Sequence, residues 1–169
     1  MKATITAIAV ATTISVAVAS PDTLSTDDPS RSTPLDPRFR TAWHEFYFGG
    51  SGEGDIDAPL LRVGRPIVPS LCRAVTDPNM RRRRYGIGAL GWIRDRRAIL
   101  TLETIYANTS EDPLFRGDAL EALFIIDQNL GRSYARNVLA RNYPDQNYLK
   151  SRAIEIIEHP DRILESPTD

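Results

Sequence analysis

The chain has 169 residues, 41% of them hydrophobic, with 21 basic against 22 acidic side chains and 12 prolines, which suits one domain of ordinary size with its own core. A mean hydropathy of -0.30, with no apolar run near the roughly 20 residues that cross a bilayer, argues against a multispanning membrane protein. A net charge of -1 argues against wholesale coating of nucleic acid, and the single Cys72 excludes an internal disulfide and any metal site built on paired thiolates.

Residues 1–19 read as a signal peptide: Lys2 supplies a positive start, apolar side chains run from Ile5 to Val18, and Ala17-Val18-Ala19 offers small residues for cleavage. The expected location is secreted or periplasmic, with a membrane association only if this segment stays uncleaved. Residues 20–36 are rich in Ser, Thr, Asp and Pro and nearly free of large apolar groups, the composition of a flexible spacer. Asp36-Pro37 then offers a helix start, and Phe39, Trp43, Phe46 and Tyr47 recur at helical spacing before Gly49-Gly50. That pattern predicts an aromatic capping helix over 37–50, its stripe buried as a lid over the first helical unit. His44 has no second histidine, cysteine or carboxylate at ligand spacing, and no metal or cofactor is expected.

Residues 55–164 read as short amphipathic helices separated by two to six residues, with no strand pattern. They also repeat. Laying Met80 to Tyr106 over Pro113 to Leu139 places Arg83 on Arg116, Gly86 on Ala119, Leu90 on Leu123 and Trp92 on Ile125. A third first helix puts Lys150, Ala153, Ile154 and Ile157 in the same places, and upstream Leu71, Ala74 and Val75 match Leu102, Ile105 and Tyr106. No helix of such a pair can bury its apolar face alone, so the units must stack.

The residues that carry this repeat also carry a resemblance. Ala89-Leu90-Gly91, Asp95-Arg96-Arg97-Ala98 and Val68-Pro69-Ser70-Leu71 resemble the HEAT-like repeats first recognised in phycobilin lyases. The family pattern has Ala-Leu-Gly ending a first helix, an Asp-x-Arg-Ala turn, and Val-Pro-Ala-Leu opening a second. The resemblance spans about residues 58–158 and implies an all-α fold: a short right-handed α-solenoid of about three helical pairs behind the N-terminal cap. It also implies a protein-binding scaffold more often than a lyase-like or DNA-repair enzyme. Asp127-Gln128-Asn129 departs from the turn pattern, so a differently shaped turn is expected there.

Catalytic motifs are missing: His44 and His159 stand far apart in sequence, Cys72 has no histidine near it, and no phosphate loop or nucleophile elbow occurs. The expectation is therefore no enzymatic activity. Positive charge is almost all arginine, 19 against 2 lysines, and it is uneven: residues 66–105 carry +5 and residues 106–169 carry -4. Arg83, repeated as Arg116 and Lys150, is expected to serve the fold by reaching carbonyls or carboxylates of a neighbouring unit. Arg81, Arg82 and Arg84, with Arg94 and Arg96 beside Arg97, form a candidate anion-binding rim; four positive charges in one first turn oppose the helix dipole.

These readings converge on an exported scaffold that binds another protein, of a kind the sequence leaves open. A binder of an anionic polymer or ligand through the arginine rim is the alternative, and a lyase-like enzyme ranks third. The candidate partner surface is the outward side of the second helices, with Arg73, Thr104, Tyr134, Arg136 and Asn137. A rival apolar patch at Trp92 requires that no neighbouring segment cover it.

Overall fold

Aromatic spacing and a glycine stop produce the first helix of the computed structural model, which describes residues 37–49, 56–144 and 147–165. The expected signal peptide, the spacer and most of the glycine-rich loop lie outside those residues. Helix α1 (Pro37–Phe48) buries Trp43, Phe46 and Tyr47, with Trp43 edge-on to Phe46 at 5.8 Å and stacked on Tyr47 at 5.5 Å. The Gly49 N–H donates to the Glu45 carbonyl at 2.7 Å and closes the helix. It packs on α2 (Ala58–Val63), where Arg62 pairs with Glu45.

The remaining helices follow in chain order: α3 (Val68–Val75), α4 (Arg83–Ile93), α5 (Ile99–Ala107), α6 (Pro113–Ile126), α7 (Gln128–Leu139), α8 (Tyr148–Glu158) and α9 (Pro160–Leu164). No strand occurs among the described residues. Helices α4, α6 and α8 pack side by side; α3 lies against α4, α5 against α6, and α7 against α6 and α8. Leu71, Leu90, Leu102, Leu120, Leu123 and Leu149 are fully buried between them. Each such side chain contributes about 1.5–3 kcal/mol relative to an exposed one. The expected inward positions of α4 and α6 are therefore the observed ones.

Close helix approach depends on missing side chains. A Cβ on Gly91 would stand 2.9 Å from the Ala122 Cα, and one on Gly117 would stand 2.6 Å from the Tyr148 ring, so α4 meets α6 and α6 meets α8 at glycine.

Two helix details differ from the expectations drawn from sequence. Helix α4 begins at Arg83, because Arg82 takes a left-handed backbone (φ 60) and stands outside the first turn. Only Arg83 and Arg84 therefore oppose the helix dipole. In α8 the buried set is Leu149, Ala153 and Ile156, while Ile157 is 36% exposed. Leu90 and Leu123, its repeat equivalents, are fully buried, whereas among the described residues α8 is followed by the five-residue α9, which meets the core through Ile163. The turn before α7 also departs, as expected: a 3-10 turn at Arg96–Ala98 precedes α5, whereas the Asp127 carboxylate caps α7 directly by accepting from Leu130 N–H.

Candidate partner-binding surface

Each arginine at the start of a first helix ties three segments together. Arg83 is 4% exposed; its Nε donates to the Val75 carbonyl at 2.7 Å, and its Nη2 meets Glu111 at 2.7 Å. Arg116, its repeat equivalent, donates from Nε to the Tyr106 carbonyl at 2.9 Å and reaches the Tyr143 hydroxyl at 3.5 Å. Lys150 reaches the Tyr143 carbonyl at 3.4 Å. A helix leaves its last carbonyls without partners, so the two arginines satisfy the C-terminal ends of the helices before them. Glu111 is held below the usual carboxylate range by its bond from Arg83, and the Tyr143 phenol is lowered by its bond from Arg116.

The five arginines of the expected rim do not act alike. Arg82 donates to the Phe46 carbonyl and, at 3.0 Å, to the Gly49 carbonyl, capping α1 from 33 and 36 residues away. Arg96 pairs with Asp127 at 3.2 Å while staying 75% exposed. Arg84 pairs with Asp118 at 3.1 Å. Arg81 and Arg94 are exposed and touch only ring faces, of Phe48 at 5.7 Å and Trp92 at 6.0 Å, among the described residues. Nearby, Arg97 grips Asp95 through Nε and Nη2, which holds that carboxylate at about 2.

Arg84 belongs to a polar cluster across α4, α6 and α8 that reading along the sequence missed. The Tyr148 hydroxyl accepts from Arg84 at 2.8 Å and from Arg152 at 2.6 Å, and donates to Asp118 Oδ1 at 2.9 Å. Arg152 also lies 2.9 Å from Glu121 and 2.6 Å from Glu155. Asp118 Oδ2 and Glu121 Oε2 face guanidinium Nε atoms at ion-pair distance without an aligned hydrogen bond. Burial pushes both carboxyls above their ordinary range, against the neighbouring arginines. A sequence signal existed: Asp118 and Arg152 occupy equivalent repeat positions on consecutive first helices, as do Glu121 and Glu155.

The second helices present a different surface. Their sideways contacts repeat: Cys72 lies beside the Thr101 hydroxyl, and Glu103 accepts from the Tyr134 hydroxyl at 2.6 Å. That bond pushes the Tyr134 phenol up to about 12, and its ring lies 5.0 Å from Tyr106. Burial raises the Cys72 thiol, which lowers its thiolate fraction and its reactivity. Outward of these contacts runs a ridge of equivalent, exposed positions: Pro69, Arg73 and Thr76; Leu100, Thr104 and Ala107; Ser133, Asn137 and Ala140. Arg136, on the flank of α7, is exposed as well. Thr104 bonds back to the Leu100 carbonyl at 2.8 Å, whereas the side chains of Arg73, Arg136 and Asn137 make no hydrogen bond or ion pair among the described residues. Leu100 was not among the residues expected on this surface, which were polar or aromatic, yet it is 75% exposed at the centre.

Trp92 is half-buried against the cluster of Leu120, Phe124 and Ile125, so neighbouring helices cover the rival apolar patch. No group of three His, Cys, Asp or Glu among the described residues is arranged to hold a metal ion, and no described helix is long and apolar enough to cross a membrane. No family model matches the chain, and no curated protein or solved structure is significantly similar to it.

Proposed function

We propose that this chain is an exported, non-enzymatic adaptor that binds another protein along the ridge of α3, α5 and α7. In this reading the fold is a short right-handed α-solenoid of about three HEAT-like helical pairs, with α1 as its cap. The repeat-equivalent roles of Arg83 and Arg116 support the stacking of units. The apolar stretch and small residues of positions 1–19 support export.

One observation carries the reading: the two helix rows spend their polar groups differently. On the first helices Arg83, Arg84, Arg116, Asp118 and Arg152 are bound to one another's neighbours or to backbone. On the second helices Arg73, Arg136 and Asn137 have no such partner among the described residues, and Leu100 is exposed between them. Unpaired arginine around an apolar centre is the composition of an interface.

The test is a titration of the partner captured from the envelope fraction. Alanine at Arg73, Tyr134 and Arg136 together is expected to weaken binding at least tenfold, about 1.4 kcal/mol, with circular dichroism unchanged. Alanine at Arg81 and Arg94 is expected to leave it unchanged. The reverse pattern, joined to a steep loss of affinity with salt, would move the function to the arginine rim and an anionic ligand.

A further inference from the structure

We infer that the segment received on this ridge is acidic and carries one large apolar side chain, which seats on Leu100 while flanking carboxylates reach Arg73 and Arg136. The inference rests on the protein-binding reading above and adds the chemistry of the partner. Helices α3, α5 and α7 carry Arg73, Arg132 and Arg136 against a single carboxylate, Glu103. Glu103 is engaged by the Tyr134 hydroxyl at 2.6 Å, and Arg132 lies over the Phe124 ring at 5.6 Å. These helices thus keep a net positive charge, and the two exposed charges among them, Arg73 on α3 and Arg136 on α7, are both guanidinium groups, whereas Glu103 and Arg132 are half-buried.

Spacing narrows the partner further. Cys72 beside Thr101 and Glu103 bonded to Tyr134 place α5 between α3 and α7, which at ordinary helix spacings stand on the order of 20 Å apart. An extended chain covers that distance with about six residues at roughly 3.3–3.6 Å each. Two carboxylates about six residues apart, with a leucine-like or aromatic side chain between them, fit this arrangement. A bare polyanion fits it less well: it gains little from Leu100, and its dense charge calls for more than two separated cations. Guanidinium–carboxylate pairing supplies direction, and the apolar contact supplies desolvation.

Selection from a random twelve-residue peptide display library on the full chain tests this. Enriched sequences should place Asp or Glu on both sides of a large apolar residue. Their binding should fall at least tenfold with Arg73→Glu, with Arg136→Glu and with Leu100→Ser, each confirmed folded by circular dichroism; Arg162→Glu, an exposed arginine off the ridge, should leave it unchanged. Enrichment of basic or uncharged peptides that still depend on the ridge would overturn the acidic partner while leaving the adaptor reading standing. No enrichment, or peptides indifferent to all three ridge variants, would overturn both. Acidic peptides that ignore Leu100→Ser and are displaced by inorganic polyphosphate would replace the partner with a simple anion.

Discussion

Two arginines hold left-handed backbone, Arg82 at φ 60 and Arg94 at φ 53, and chemistry separates them. That conformation costs an ordinary residue about 1–2 kcal/mol, and glycine avoids most of it. Arg82 offsets the strain by capping α1 through two carbonyls; Arg94 ends α4 with only a ring contact. Arg94→Gly should therefore stabilise the protein by about 0.5–1 kcal/mol, as left-handed helix ends usually favour glycine. Arg82→Gly should destabilise it by about 1–5 kcal/mol, because two charge-assisted hydrogen bonds of about 1.5–3 kcal/mol each outweigh the relieved strain of about 1–2 kcal/mol. Urea unfolding of both variants checks the sign, and equal effects would mean that the Arg82 cap contributes nothing. The run Arg81 to Arg84 made a basic cluster obvious in the sequence. The tie at Arg83 was legible from its recurrence as Arg116, but the roles of Arg82 as a cap for α1 and of Arg84 as a member of the α4–α6–α8 cluster were not. Those two roles depend on partners 33 to 64 residues away.

Between elements, glycines act by what touches them. Gly131→Ala drives a Cβ into the Phe124 backbone where α7 crosses α6, whereas Gly88→Ala meets nothing within 4 Å. The first should cost about 1–3 kcal/mol by overpacking; the second should gain up to about 1 kcal/mol from helix propensity. Thermal unfolding of the pair measures both. The polar cluster gives the helices a pH signature. Burial holds Asp118 and Glu121 above the usual carboxylate range, so the native state binds protons more tightly than the unfolded chain there. Their contribution to stability rises as pH falls from above those raised values to the ordinary carboxylate range. Asp95, held at about 2 by Arg97, and Glu111, held low by Arg83, work oppositely: the stability they supply is full above the ordinary range and is lost as pH falls toward 2. Melting temperature should peak on the mildly acidic side; Asp118→Asn should flatten the rise and Asp95→Asn should soften the acid fall. Local periodicity showed the inward leucines of α4 and α6. It could not pair Arg84 with Tyr148, since no local rule links side chains 64 residues apart.

At the scale of the molecule, the apolar faces of successive helices are shared rather than owned. Leu90→Asp and Leu123→Asp each bury an unpaired carboxylate at a site with no exposure, a cost of several kcal/mol against a typical total of about 5–15 kcal/mol. Both should lose helical circular dichroism, while Arg81→Asp, at an exposed turn, should keep it. The same sharing explains why Ile157 is exposed where Leu90 and Leu123 are buried: among the described residues, the helix that follows α8 has five residues. The ties at Arg83 and Arg116 share a direction along the chain. The carbonyls ending α3 and α5 are closed by residues that come later in the chain, never earlier. A ribosome releases the chain from its N-terminus, so α3 and α5 each emerge before the arginine that closes their last carbonyls. The ends of α3 and α5 are therefore completed in the order of synthesis, α3 once Arg83 is in place and α5 only after Arg116 has followed.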